Sequence, residues 1–227
     1  MIVTIHQPNY FPYSGFFHKM SLADTLVLLD NTQFQFDYTN RNKILKPDGK
    51  WTRISIPIKK HQKFLPINQV EIDNDKNWRG ENLDLLLSCY ENTKYFHLYE
   101  KFIKKLFSTE WKYLFDINFE IIKKCTEWLD IKINLIKESE LNINGQSSEK
   151  LVNICKKLNA DTYVSGPGGK NYLNENLFSK NNIQIFFQNF SSNIYPQNSS
   201  VFVPDLSIID LLANLGPNSK SFLFNHN

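Results

Sequence analysis

The stretch TIHQPNYFPYSGFFHKM, residues 4–20, decides the fold that the sequence predicts. The apolar run at residues 1–5 stops at a histidine and is typical of a short buried strand. Two prolines and a glycine follow, and the pattern becomes helical over residues 15–22. A second apolar run, TLVLL at residues 25–29, completes the series strand, turn, helix, strand. This series predicts a βαβ unit, in which a right-handed crossover joins two parallel strands.

Strands and helices alternate again after residue 130. Alternating or continuous apolar runs predict strands at residues 51–58, 131–136, 162–164 and 183–187. Apolar residues at 3–4 spacing predict helices at residues 147–158, 174–180 and 206–215, and a mainly helical insert at 78–130. The sequence therefore predicts one α/β domain over residues 1–217, three-layered and Rossmann-like, with a mostly parallel sheet. Residues 218–227 are predicted to be a frayed tail.

Composition excludes several classes of protein. The 26 basic and 23 acidic residues are intermixed and the formal net charge is +3, so no basic stripe indicates nucleic-acid binding. Cys89, Cys125 and Cys155 lie too far apart for a metal-binding motif, and we expect free thiols and no bound metal. No apolar run could cross a bilayer, and no secretion signal precedes the first strand. These observations predict a cytoplasmic protein.

The turn after the first predicted strand is the first candidate site. His6, Gln7, Asn9 and Tyr10 follow that strand directly, and Gly15 lies at the start of the next helix. Ligands of open α/β sheets bind outside the carboxyl ends of the strands, and a glycine lets an anion approach the backbone there. The alternative is a tight loop whose polar groups satisfy only its own backbone.

A second group of polar residues follows the second predicted strand. Asp30 and Gln33 lie just beyond its end, so Asp30 is predicted to emerge near His6 and to orient its ring as a general base. Asn40 and Arg41 could bind an anion through amide and guanidinium groups. The alternatives are a carboxylate that caps a loop and an arginine in solvent.

A glycine-rich segment, YVSGPGGKNYL at residues 163–173, is the third candidate. It runs from a predicted strand into a helix, so its backbone N–H groups could bind a phosphate or carboxylate. It matches neither the P-loop nor the dinucleotide-binding motif. The predicted ligand-binding residues are Ser165, Gly166, Gly168, Gly169 and Lys170.

The last predicted helix carries a carboxylate among apolar residues. Asp210 is expected to be buried and therefore to need a partner, for which His6 and Arg41 are the candidates. A structural hydrogen-bond network is the alternative. Gln197, just before this helix, is predicted to lie at the rim of the same cleft.

Several long motifs resemble the WbqC-like family over nearly the whole chain. The residues that carry the resemblance are IHQPNYFPYSGFFHKMSLADTLVLLDNTQF (5–34), NRNKI (40–44), YVSGPGGKNYL (163–173), YPQ (195–197) and PDLSIIDLLANLG (204–216). This resemblance implies a role in a bacterial surface-polysaccharide gene cluster, for O-antigen, lipopolysaccharide or capsule. The resemblance thus implies the biosynthetic setting more firmly than the reaction that the protein catalyses.

The order of elements at the start of the chain is also similar to that of the HIGH-type nucleotidyltransferases and pantothenate synthetase. This second resemblance implies a HUP-like architecture. In those proteins two histidines flank the glycine of the first helix, whereas Tyr13 and Phe16 stand there in this chain. The departure puts adenylylation chemistry in doubt, because fold analogy does not carry function.

Together the residues and the resemblance predict a transferase that N-acylates the amine of a nucleotide-linked amino sugar. His6 is the predicted base, Asp30 or Asp210 its orienting carboxylate, and the glycine segment or Arg41 the anion binder, all in one cleft. The donor is unknown, and an acyl-CoA is one candidate. The alternatives are an ATP-dependent amide ligase or nucleotidyltransferase, and a non-enzymatic glycan-pathway binding protein. The aromatic content of 14% is compatible with a homodimer and equally with a helical core that absorbs the rings.

Overall fold

A computed structural model describes residues 1–224 of the 227-residue chain. The strands are β1 (Ile2–His6), β2 (Thr25–Leu28), β3 (Arg41–Leu45), β4 (Trp51–Ser55), β5 (Asn134–Lys137), β6 (Thr162–Ser165) and β7 (Gln184–Phe187). The α-helices are α1 (Ser14–Ser21), α2 (Trp78–Tyr90), α3 (His97–Ser108), α4 (Leu114–Trp128), α5 (Ser147–Lys157), α6 (Glu175–Ser179), α7 (Ile208–Leu215) and α8 (Ser219–Phe224).

Five parallel strands form the central sheet in the spatial order β5-β2-β1-β6-β7. Numbered among themselves along the chain, these strands lie in the order 3-2-1-4-5. The chain therefore adds β2 and β5 on one side of β1, and then adds β6 and β7 on the other side. The loops that follow β1 and β6 diverge at this reversal, which is where open α/β sheets bind ligands.

Helices cover both faces of the sheet. One apolar cluster joins Leu26 and Leu28 to buried residues of α1, α2, α3, α4 and α7. A second cluster joins Val3, Ile5 and Val27 to buried residues of α5 and α6. Side chains of successive strand residues point to opposite faces, so Leu26 and Val27 belong to different clusters. The predicted three-layer, Rossmann-like α/β fold with a mostly parallel sheet is confirmed.

Helix α1 begins where the opening turn forces the chain to change direction. Tyr13 precedes it in an extended conformation, and a Cβ at position 15 would collide with the Tyr13 ring. Any other residue would require the Tyr13 ring to move. Most of the helix is buried, from Gly15 to Met20, which explains why its sequence lacks a clear polar face.

The structure differs from the prediction in several elements; β5, for example, begins at Asn134 and not at residue 131. β3 was not predicted; it pairs antiparallel with β4 as a separate two-stranded sheet. The predicted strand at 51–58 ends at Ser55, where the chain leaves the hairpin. In the predicted tail, residues 219–224 form α8, and Leu223 of this helix is buried in the larger apolar cluster. Residues 225–227 of the predicted tail lie outside the described residues.

Within residues 1–224, no helix combines the length and the apolar character that crossing a bilayer requires.

Candidate functional site

A cavity of about 860 Å³, called here the large cavity, lies at the carboxyl ends of β1 and β6 where the strand order reverses. Polar residues after β1 and β2, the start of α5 and the glycine loop (residues 166–169) line it. Lys19 and Lys150 are its charged groups, and no Asp or Glu is among the described residues that line it. This lining favours an anionic ligand.

His6 is the last residue of β1. Its ring packs edge-on against the ring of Phe16, and the two ring centroids are 5.0 Å apart. Its Nδ1 is 2.9 Å from the carbonyl oxygen of Gln7. A carbonyl only accepts, so Nδ1 carries the proton and Nε2 keeps its lone pair. Burial, and secondarily the charge of Lys19, lowers the pKa of His6 to about 3, while the bond to Gln7 opposes the shift. The imidazole is therefore neutral at physiological pH.

Lys19 is the most deeply buried charged residue of this site, and it is one of several lining residues that sequence reasoning missed. It projects from α1 into the large cavity and is only 4% exposed. Its Nζ donates to the carbonyl oxygen of Ile5 at 3.1 Å, and no carboxylate among residues 1–224 forms an ion pair with it. Burial lowers the pKa of Lys19 to about 7. The one signal in the sequence was a lysine inside the apolar run FFHKM of α1.

The glycine loop borders the large cavity with bare backbone. A Cβ placed on Gly166 or Gly168 would meet no atom within 4 Å, so these positions face open space. A Cβ on Gly169 would instead collide with the side chain of Ser165. Gly169 is therefore required by packing, whereas Gly166 and Gly168 leave room that a ligand can occupy.

A second cavity of about 470 Å³, called here the small cavity, adjoins the first. His6, Tyr13 and Pro167 line both cavities. The small cavity adds aromatic rings, one amide and two opposite charges, contributed by Asn9, Tyr38, Lys43, Phe190 and Asp205. The two cavities therefore share a boundary formed by His6, Tyr13 and Pro167, and His6 is the one of these that can exchange a proton at neutral pH.

Some predicted ligand-binding residues line the cavities and others do not. Gln7, Gln33, Gly166, Gly168 and Gly169 line the large cavity, and Asn9 lines the small one. The remainder are not among the lining residues: Tyr10, Asn40, Arg41, Ser165, Lys170 and Gln197.

Most of these remaining residues have hydrogen-bond or ring partners within the fold. Tyr10 is buried and its hydroxyl accepts from Asn82 Nδ2 at 3.3 Å. Asn40 donates to the carbonyl of Ile56 at 3.1 Å. Arg41 donates to the carbonyl of Phe36 at 2.7 Å. Ser165 donates to the carbonyl of Gly166 at 3.0 Å. Lys170 is exposed, with its Nζ over the Phe187 ring.

Asp30 does not orient His6. Its Oδ1 accepts from the backbone N–H of Ser139 at 2.9 Å, and its Oδ2 accepts from the Ser139 hydroxyl at 2.6 Å and from Asn68 Nδ2 at 3.2 Å. The carboxylate thus joins the end of β2 to the segment after β5. The predicted His–carboxylate pair is replaced by the bond from His6 to the Gln7 carbonyl.

Asp210 belongs to a separate buried network. It accepts from Tyr195 Oη at 2.8 Å, Gln197 Nε2 at 3.1 Å and Tyr90 Oη at 3.1 Å. Burial raises the pKa of Asp210, and the three hydrogen bonds oppose that shift. The predicted pairing of Asp210 with His6 or Arg41 is wrong. The prediction of a single cleft that includes Asp210 is also wrong, because Asp210 lines neither cavity. The alternative of a structural network describes this residue.

The fold and the cavities define a doubly wound α/β protein with a crevice at its topological switch point, the usual position of ligands in this class. The sequence profile of the WbqC-like protein family matches residues 7–222. The chain belongs to the WbqC-like family, and the resemblance of its motifs to that family is confirmed.

A relative in Mycobacterium tuberculosis (strain ATCC 25618 / H37Rv) bears the name "Uncharacterized protein Rv1507c". It is 27% identical over 227 residues, which cover 97% of this chain and 96% of the relative. No solved structure matches the chain. The comparisons thus give the family and not the reaction.

Replacing Asp210 with Ala should lower the free energy of unfolding by roughly 2–4 kcal/mol, because Tyr90 and Tyr195 lose the acceptor of their buried hydroxyls. Urea denaturation followed by circular dichroism measures the change. Asp84→Ala removes an exposed carboxylate from α2 and should change stability by less than about 0.5 kcal/mol. Equal stability of the two variants would contradict a structural role for Asp210.

Replacing Lys19 with Met should raise the melting temperature more at pH 6 than at pH 9. The pKa of Lys19 is about 7 in the folded protein and 10.5 for an unperturbed lysine, as in the unfolded chain, so burial of its charge destabilises the fold fully below pH 7. That destabilisation fades as the pH rises from 7 toward 10.5. Melting curves of both proteins at the two pH values measure the difference, and a gain that is larger at pH 9 would refute the assignment.

Proposed function

We propose that the protein is a transferase that N-acylates the amine of a nucleotide-linked amino sugar in the biosynthesis of bacterial surface-polysaccharide precursors. The observation that carries the proposal is the meeting of two cavities at His6. A transfer between two substrates needs two adjoining sites with the reacting atoms at their boundary. The resemblance to the WbqC-like family supports the biosynthetic setting.

The large cavity suits the nucleotide-linked sugar. Its volume of about 860 Å³ lies within the usual range for small-molecule sites. Lys19 and the bare backbone of the glycine loop favour a diphosphate. The rings of Tyr13 and Tyr172 border the same cavity and offer faces for a base or a sugar.

The small cavity suits the acyl donor. Tyr13, Tyr38 and Phe190 give the small cavity an aromatic wall. The opposite charges of Lys43 and Asp205 leave its lining with no formal net charge. An uncharged acyl group on a flexible thioester arm, as in an acyl-CoA, matches such a lining. The thioester carbon would then lie near His6, which borders both cavities.

The reaction forms one bond and breaks one. The neutral amine attacks the thioester carbon, the C–N bond forms, the C–S bond breaks, and the proton lost by nitrogen ends on the leaving sulfur. Nδ1 of His6 donates its proton to the Gln7 carbonyl oxygen, so Nε2 keeps its lone pair. Nε2 can therefore accept the proton of the amine and transfer it to the leaving sulfur. A pKa of about 3 makes the ring a short-lived carrier of the proton instead of a strong base.

An ATP-dependent amide ligase is the second candidate, because doubly wound parallel sheets often bind nucleotides at the switch point. The two candidates differ in a measurable way. A ligase consumes ATP, whereas the transferase releases a free thiol from the donor without ATP. A non-enzymatic binding protein would bind a glycan precursor and do neither.

A thermal-shift panel should separate these candidates. A nucleotide-linked amino sugar and an acyl-CoA should each raise the melting temperature, by roughly 5–10 °C at a hundred times Kd. In Gly168→Val the unliganded melting temperature should stay unchanged while the shift with the nucleotide sugar shrinks, because the new side chain enters open space in the cavity. Stabilisation by ATP alone, with ATP-dependent product formation, would favour the ligase instead.

Replacing His6 with Asn should lower turnover by roughly 10²–10⁴-fold while the melting temperature changes little. Thiol release and the mass of the acylated product give the rate. His97→Asn alters an exposed histidine at the start of α3 and should keep full turnover. Full activity of the His6 variant would remove His6 from the mechanism, and a large loss of stability would assign it a structural role.

A further inference from the structure

Residues at the start of α5 line the large cavity, and within residues 1–224 no side chain caps this helix N-terminus. Gln146, in the N-cap position, makes no side-chain hydrogen bond to the helix. Gln146, Ser147 and Lys150 all border the cavity. Ser147 has a φ of 49°, a left-handed conformation that non-glycine residues rarely adopt. Such conformations are concentrated at functional sites, where the surrounding structure maintains the strain.

Lys19 borders the same cavity as a buried amine for which residues 1–224 supply no carboxylate partner. An ammonium has three donors, and the carbonyl of Ile5 uses one. Lys150, by contrast, pairs with buried Glu138 at 2.7 Å, so its charge is already balanced. Burying an unpaired charge is costly, and a strongly perturbed titratable group in a cleft marks a candidate functional site.

We propose that Lys19, the uncapped N-terminus of α5 and the glycine loop form a phosphate-binding site that takes the diphosphate of a nucleotide-linked substrate. The three groups belong to different elements, yet they line one cavity that contains no carboxylate among its described residues. A helix N-terminus and open glycine backbone each present N–H donors to an anion. The assignment of a nucleotide rests on the proposed function.

Binding at this site is coupled to a proton. In the free protein the pKa of Lys19 is about 7, so at pH 8 the amine is mostly neutral. A diphosphate beside it favours the ammonium and raises that pKa. The complex therefore takes up a proton above pH 7, and the affinity falls as the pH rises from 7 toward the raised pKa.

Isothermal titration calorimetry with UDP and with inorganic pyrophosphate tests the site. Lys19→Met should weaken UDP binding by roughly 10–100-fold, the effect of losing one charged hydrogen-bond donor. Lys156→Met is the matched control, since it removes the same charge from an exposed position near the other end of α5. The control should bind within about twofold of the unaltered protein. Uridine, which has no phosphate, should bind far more weakly than UDP.

Titrations at pH 8 in Tris and in HEPES measure the proton count. The unaltered protein should take up about one proton per UDP, and Lys19→Met should take up none. This measurement on the unaltered protein stands even where the variant fails to fold. No binding of either probe, equal binding by the Lys19 variant, or no proton uptake would each overturn the site.

The site and the proposed function can fail separately. UDP binding needs neither an acyl donor nor turnover. Lys19-dependent UDP binding without acyl transfer would keep the site and reject the transferase. Acyl transfer together with equal UDP affinity of the unaltered protein and Lys19→Met would support the transferase and reject the site.

Discussion

The parallel pairing of β1 with a strand on each side is the constraint on which the rest of the structure depends. β1 pairs with β2 through residues 3–6 and with β6 through residues 2–4. These pairings bring the opening turn and the glycine loop to one edge of the sheet. They also fix the Ile5 carbonyl that holds Lys19, so the position of the buried amine follows from the sheet register.

The elements and cavity residues that the sequence predicted are those encoded by neighbouring residues. The strand, turn, helix and strand at the start of the chain follow from hydrophobic periodicity and turn chemistry, both of which are local. His6, Gln7 and the glycine loop lie beside strand ends, so the fold class places them. β3 was missed because RNKIL has two cations and an amide instead of an apolar alternation. Lys19 was missed because helical lysines usually lie in solvent.

The two carboxylates were misread for a different reason. Asp30 binds Ser139, 109 residues away, and Asp210 binds Tyr90, 120 residues away. No local sequence pattern predicts hydrogen-bond partners that are so far apart in the chain. Burial of Asp210 could be read from its apolar helix, and the need for partners followed from it. Their identity depends on how α2, α7 and the segment before α7 pack, which is tertiary information.

The same sheet order sets when the chain can fold during synthesis. The residues that pair β1 with β6 are 160 apart, as in Ile2 with Thr162, and β7 adds only after that. A nascent chain leaving the ribosome therefore exposes one open edge of β1 until most of the protein has been made. Long-range parallel pairing is slow, and unpaired edges invite aggregation. The open edge of β1 is consequently a feature of the partly synthesised chain, because β6 covers it in the finished fold.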